Sequence, residues 1–330
     1  MEVLQKIKDR ARLAQKTIIL SEGHDQRILD AAQIVTQEKL ARIILLGQPD
    51  RLATAARVAG FDISQVTVLD PLNFPEHGQY SQEFYELRKH KGVTPEQAAE
   101  QMRDAVFCGA MLVRHGRADG FVAGATRTTA DIVKAAMYCI GFGERVRTIS
   151  SSFLVSVPQC DFGMQGNFIF ADCGIIPDPS PMQLANIAKA AAELFELLVQ
   201  ETPRVALLSF SSLGSAEHPM VDKIRSAVKI VREKYPELQA DGELQLDAAI
   251  VPDVALKKAP QSPVAGKANV LIFPDLNAGN IGYKLVQRLA KAEVTGPMMA
   301  GLAKPCSDLS RGCTVDEVVN AVCTTAIRAV

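Results

Sequence analysis

The sequence predicts an α/β protein of two lobes, each a mostly parallel sheet covered on both faces by helices. Three observations carry this. Short β-rich runs alternate with helix-length amphipathic segments from the start, the pattern of βαβ units. The alternation restarts near residue 148. Between the two runs lies the glycine-containing break Ile140-Gly-Phe-Gly-Glu-Arg145, the best boundary in the chain. At 330 residues the chain is long for one domain and comfortable for two. A cleft between lobes is where sites commonly lie.

Taken in order, Leu4, Ile7, Ala11 and Leu13 form the apolar stripe of a first helix. Thr17-Ile-Ile-Leu20 reads as a buried strand, with Ser21-Glu-Gly-His-Asp25 as the loop at its carboxyl end. Ile28, Ala31, Ala32 and Val35 line the next helix, and Arg42–Leu46 and Val66–Leu69 are strands. Residues 81–116 are helical with a break at Lys91-Gly-Val-Thr94, after which Thr94-Pro-Glu-Gln97 supplies a cap, a proline at the first helical position and a capping-box glutamine. Gly120-Phe-Val-Ala-Gly124 is a strand ending at a glycine, and Ala125–Asp131 then opens a helix with hydroxyls and an arginine, which suits an anion. In the second run, residues 148–155, 167–171, 204–210, 247–251 and 269–273 are strands, separated by helices over 182–200 and 220–234 and a proline-rich connection over 172–181. Asp275–Tyr283 leads into a further helix, and Val315, Val318, Val319, Val322 and Ala326 give the last helix its stripe, leaving Asp316, Glu317 and Asn320 off the buried face.

Composition narrows the function. Hydrophobic residues make up 48% and charged residues 22%, enough for a full globular core. A net charge of −1 gives no electrostatic case for nucleic acid or an anionic membrane, and the absence of Trp argues against base-stacking surfaces. The seven scattered cysteines contain no Cys-x-x-Cys, which reads as reduced, cytoplasmic thiols without a zinc site or disulfide framework. The N-terminus is an amphipathic helix and not a signal peptide, and no apolar run approaches the ~20 residues a membrane span requires.

The stretch with most chemistry is Lys304-Pro-Cys-Ser-Asp-Leu-Ser-Arg-Gly-Cys-Thr-Val-Asp-Glu317. Ser310, Arg311 and Gly312 run into a helix start at Thr314, where backbone N–H groups, a hydroxyl and a guanidinium fork suit a phosphate. Asp316 and Glu317 follow as proton acceptors, although Thr314-x-x-Glu317 is equally the spacing of a capping box. Cys313 reads either as a thiol activated by Arg311 or as a small packed residue. Arg88-Lys-His-Lys91 is either solvated surface or the binding point of a polyphosphate.

Several long segments resemble the phosphate acetyltransferase (phosphotransacetylase) family: Asp241-Gly-Glu-Leu-Gln-Leu-Asp-Ala-Ala249, Lys258–Val270, Phe273-Pro-Asp-Leu-Asn-Ala-Gly-Asn-Ile-Gly-Tyr283, Lys304–Gly312, Ser21-Glu-Gly23 and Ala171–Pro179. The resemblance covers essentially the whole chain. It implies a two-lobed, three-layer α/β/α fold like isocitrate and isopropylmalate dehydrogenases, with residues 1–145 and 298–330 forming one domain, 146–297 the other, and the active site in the cleft. It implies acetyl transfer between acetyl phosphate and coenzyme A, with inorganic phosphate as the other product, in a homodimer; a metal and a tightly bound cofactor are not expected for this chemistry. Arg311 would then bind the phosphoryl group, Ser310 would stabilise the transition state, and Arg88, Thr128, Asn280 and Tyr283 would contact substrate. Where many members carry an Asp base this chain has Glu317, with Asp316 beside it. Where many carry an Arg it has Lys134, which loses the bidentate grip. Arg127, seven residues earlier and on the same face if that stretch is helical, is the residue expected to take over the contact. A nicotinamide-dependent dehydrogenase and a non-catalytic acetyl-CoA sensor are the alternatives, and the acyl chain length, from acetyl to propionyl or butyryl, is not fixed by the sequence.

Overall fold

The computed structural model describes residues 2–144 and 148–329. Its strands are β1 (Thr17–Leu20), β2 (Arg42–Leu46), β3 (Thr67–Leu69), β4 (Gly120–Ala123), β5 (Ser150–Ser156), β6 (Asn167–Ala171), β7 (Val205–Leu208), β8 (Ala240–Leu244), β9 (Val270–Ile272), β10 (Glu293–Ala300) and β11 (Cys306–Asp308). The chain divides into two compact units, Glu2–Arg147 with Leu302–Val330, and Thr148–Gly301. The domain junction expected at 145/146 lies outside the described residues.

The first unit has the strand order β3-β2-β1-β4-β11, with every neighbouring pair parallel. Ile18, Ile19 and Leu20 are fully buried, as are Phe121, Val122 and Ala123. Such uninterrupted apolar runs, without alternation, mark strands covered on both faces. The covering is visible in the packing. The helix Val315–Arg328 lies on β1 and β4 with helices Glu2–Ala14 and Gln26–Gln37 against it, while the helix Ala105–Arg114 lies on the same two strands separately. Helix, sheet and helix layers result. Because the chain runs outward from β1 to β3 and returns on the other side as β4, β1 and β4 form a switch point. Ligands of open parallel sheets bind beyond the carboxyl ends of strands at such a point. The loops there are Ser21–Asp25 after β1, Gly124–Thr128 after β4 and Leu309–Thr314 after β11.

The second unit has the order β10-β5-β6-β9-β7-β8; β10 and β6 run antiparallel to β5, and the remaining pairs are parallel. Its core includes Phe153, Phe168, Phe170, Phe273 and Tyr283.

Four local readings need correction. The segment expected as a strand at 247–251 is a helix, Leu246–Ile250, with Asp247 in its first turn and Ala248 and Ala249 buried. The strand is the preceding Ala-Asp-Gly-Glu-Leu, whose acids are buried because Arg232 pairs with Asp241 at 2.6 Å and Arg225 with Glu243 at 3.0 Å. Strand β10 has no counterpart in the sequence reading; it carries the pair Gly296-Pro297, and its register to β5 shifts by a bulge between Thr295 and Met298. Leu13 is 83% exposed, beyond the apolar stripe that Leu4, Ile7 and Ala11 make.

Candidate active site

The loops at the switch point are tied together by side chains of the first unit. Glu22, 2% exposed, fills the concavity after β4. Its carboxylate accepts from the backbone N–H groups of Gly124 (2.7 Å), Ala125 (2.8 Å) and Thr126 (2.7 Å) and from the Thr126 hydroxyl (2.7 Å). The glycine-hydroxyl segment that promised an anion site therefore holds an anion of the chain's own. Arg27 does the same for the C-terminal loop. Its Nη1 donates to the carbonyls of Arg311 (2.8 Å) and Cys313 (3.0 Å), and its Nη2 donates to the carbonyl of Ala125 (2.9 Å) and to Asp25 (2.8 Å). The hydrogen bond to Arg27 holds the Asp25 carboxyl below its ordinary range.

Within the C-terminal loop, Ser310 and Arg311 are exposed at the turn. Most backbone donors that a bound anion would use are already engaged. Gly312 N–H donates to Ser310 Oγ (3.2 Å), Cys313 N–H to the Ser310 carbonyl (2.9 Å), and Thr314 N–H to Glu317 Oε2 (2.8 Å). The capping-box reading of Glu317 is thus realised: Glu317 N–H also donates to Thr314 Oγ1 at 3.2 Å. Asp316 is exposed on the same first turn. The loop offers a ligand the Ser310 hydroxyl and the Arg311 guanidinium more than its backbone. Cys313 is buried, and burial pushes its thiol up to about 11, partly offset by Arg27. A thiol in that range is a poor nucleophile at neutral pH.

The other cations gather in the same unit around a cavity of about 850 Å³ lined by residues that include Arg88, Lys91, Gln97, Asp104, Lys134 and Tyr138. Arg88 stacks on the Tyr138 ring with Cζ 3.5 Å from its centre, and Lys134 Nζ lies 5.8 Å from the same centre. Thr128 caps the helix Thr129–Ala135 through a capping box with Asp131, so its hydroxyl is occupied. Arg127 precedes that helix, and the same-face argument linking it to Lys134 does not hold. Arg127 instead pairs with Asp104 at 2.5 Å, while the other Asp104 oxygen caps the helix Ala105–Arg114 by accepting from Val106 and Phe107. One carboxylate thereby fastens the Gly124–Thr128 loop to the wall of the cavity. Asn280 and Tyr283 belong to the second unit. Asn280 donates to the Cys173 carbonyl (3.1 Å), and Tyr283, 9% exposed, stacks on Phe153 with ring centres 4.4 Å apart. Among the described residues no group of three or more His, Cys, Asp or Glu is poised for a metal ion.

Comparison with known proteins gives the site a context. Residues 2–326 match the family model for phosphate acetyl/butaryl transferases. The chain belongs to that family. It is 48% identical over 329 residues to the phosphate acetyltransferase of Thermoanaerobacterium thermosaccharolyticum, covering all of both chains. The crystal structure of a phosphotransacetylase from Streptococcus pyogenes superposes with a TM-score of 0.93 at 38% identity over 99% of this chain and 98% of that one. At 8% identity, 4-hydroxythreonine-4-phosphate dehydrogenase from Klebsiella pneumoniae superposes with a TM-score of 0.56 over 95% of this chain and 98% of that one, a likeness of fold to a dehydrogenase. The Ser310-Arg311-Gly312 segment is the loop that Arg27 holds.

Sequence reasoning missed Glu22, Arg27, Asp104, Tyr138 and Asp308 as parts of this arrangement. For Glu22 and Asp308 a signal was present, a carboxylate at or just past a strand's carboxyl end. Arg27 and Tyr138 lie inside helical stretches, where nothing local distinguishes them from surface residues.

Proposed function

We propose that the chain is a phosphate acetyltransferase that moves an acetyl group between acetyl phosphate and coenzyme A by direct attack within a ternary complex. Family membership over residues 2–326, with the Ser310-Arg311 turn tied down by Arg27 through the carbonyls of Arg311 and Cys313, is the observation that carries this reading. A carboxylate of the adjacent Asp316–Glu317 pair takes the thiol proton, whose unperturbed pKa lies near 8.5. The sulfur then bonds to the acetyl carbon. Ser310 donates to the oxyanion, an interaction worth roughly 3–4 kcal/mol for a well-placed donor. The bond from the acetyl carbon to the phosphate oxygen breaks, and inorganic phosphate leaves against Arg311, with Arg88 and Lys134 supplying further positive charge. Arg127 joins them by exchanging Asp104 for the ligand. Holding both substrates in one complex lowers the barrier further by proximity.

A homodimer and a cytoplasmic location are part of the same reading. The helix Leu276–Leu289 exposes Ile281, Leu285 and Leu289 in one stripe, which favours a partner surface. All seven cysteines are free thiols, which suits a reducing compartment.

The deciding assay is acetyl-CoA formation from acetyl phosphate by the purified protein, repeated with propionyl and butyryl phosphate. The proposal requires acetyl to be the fastest, and it requires Ser310→Ala and Arg311→Ala to lose at least about 100-fold in kcat/KM. No turnover with any acyl phosphate refutes it. Comparison of Asp316→Asn with Glu317→Gln assigns the base.

A further inference from the structure

Two buried carboxyls flank the loop after β4, and neither makes an ion pair among the described residues. Glu22 has its four donors, which suit a charged carboxylate. Asp308, 1% exposed at the end of β11, has far less: Thr129 Oγ1 donates to its Oδ2 at 2.6 Å, and its buried Oδ1 has no hydrogen-bond partner. That oxygen presses on Gly124, where a Cβ would come within 2.2 Å of it. Gly124 also has φ +116°, so both space and backbone require glycine there. Two negative charges buried on either side of one short loop, only one of them well solvated by donors, is an arrangement that desolvation strongly disfavours. The favourable state keeps a proton on the carboxyl with fewer donors.

We propose that Asp308 is a positioning residue that serves in its neutral, protonated form, tying Ser310 and Arg311 to the helix start at Thr129 without adding a second negative charge beside the acyl-phosphate site. This rests on the phosphate acetyltransferase reading. Burial is the main cause that pushes the Asp308 carboxyl up to about 7; the Thr129 hydroxyl and the Leu309 backbone N–H hold it down, and Glu22 adds to the rise. The groups that bear on it are Glu22 from the loop after β1, Thr129 from the helix after β4, and Cys306 on β11 itself, a thiol raised by burial with Arg328 of the last helix beside it. Arg27 acts on Asp25, Glu22 and Cys313 rather than on Asp308. When Asp308 loses its proton, the new charge spreads onto an Oδ1 that has no donor and faces Glu22 and the dianion bound at Ser310 and Arg311. The loop must shift or the ligand must weaken.

The test uses the full chain. Carboxyl 13C spectra of aspartate-labelled protein are recorded from pH 4 to 9 beside Asp308→Asn, whose missing resonance assigns the signal. A resonance titrating near neutrality supports the proposal, and one titrating below about pH 5, in the ordinary aspartate range, overturns it. KM for acetyl phosphate is then followed from pH 6 to 9. In the wild type it should rise about three- to tenfold more than in Asp308→Asn, which keeps the shape of the neutral acid and cannot ionise. Asp308→Ala should raise KM at every pH, because the tie to Thr129 is gone. Superimposable wild-type and Asp308→Asn profiles overturn the proposal. If the wild type makes no acetyl-CoA, the functional reading fails while the 13C titration still reports whether Asp308 holds its proton.

Discussion

Replacing Glu22 with glutamine removes one charge and keeps the shape, so its cost follows from the donors the carboxylate serves. Four donors converge on two oxygens at 2.7–2.8 Å, two per oxygen. A glutamine keeps one oxygen and offers an NH2 to the donors of the other. In the better orientation the NH2 faces the Thr126 hydroxyl, which rotates to accept, and the Thr126 N–H, which loses its partner. A buried amide without a partner costs about 1–3 kcal/mol, and hydrogen bonds to a charged group are worth about 1.5–3 kcal/mol against about 1 for neutral ones. The net loss should be about 3–4 kcal/mol, a large share of the ~5–15 kcal/mol typical of a folded protein. The variant should fold with a weakened loop. Hydrogen exchange reads this locally: the Gly124, Ala125 and Thr126 amides should exchange at least about 100-fold faster while those of β1 and β4 change little. Unchanged protection of those three amides, with a urea-unfolding loss below about 1 kcal/mol, would show that the carboxylate does not hold the loop.

Further outcomes follow from the same geometry. Tyr138→Phe should keep KM for both substrates close to wild type, whereas Tyr138→Leu, which removes the ring under Arg88, should raise one of them about five- to thirtyfold, matching a cation–π contact of about 1–2 kcal/mol; equal kinetics for both variants would exclude the stacking role. Cys313→Ala should retain kcat within about threefold and leave no acetylated protein on rapid denaturation, since a thiol raised to about 11 is not the attacking group; trapped acetyl-protein in the wild type would contradict direct transfer. Stability should also depend on pH through Asp308. Its folded pKa of about 7 lies above the ordinary 3.8, so the folded state holds the proton between these values and loses stability as pH rises across that window. The effect is on the order of 4 kcal/mol at most, and chemical denaturation of Asp308→Asn should lack that slope.

Much of the fold was legible because parallel strands buried on both faces are uninterrupted apolar runs. Asn167–Ala171 and Thr17–Leu20 coincide with their readings residue for residue. What escaped were strands whose character is set by distant partners. Strand β8 carries Asp241 and Glu243 into the interior only because Arg232 and Arg225, a helix away, neutralise them. At the candidate site, the sequence singled out the Gly124–Thr128 and Leu309–Thr314 loops but misjudged how their backbone donors are used. A glycine and a run of hydroxyls after a strand do indicate an anion. Nothing within the segment reveals that Glu22, about a hundred positions earlier, is that anion. Arg127 shows the related limit: seven positions of spacing suggest a shared face only while a helix continues, and Thr128 starts the helix one residue too late.

The first unit's sheet acquires its last parallel strand, β11, and the helix covering β1 and β4 only from residues that follow the whole Thr148–Gly301 unit in the chain. During synthesis the earlier half must wait with one flank of β4 unpaired and Ile18–Leu20 partly uncovered, while the intervening unit emerges and completes itself. The Ser310-Arg311 turn is therefore among the last pieces to be laid down, and a nascent chain truncated before residue 306 would display a sticky strand edge rather than a weakened enzyme.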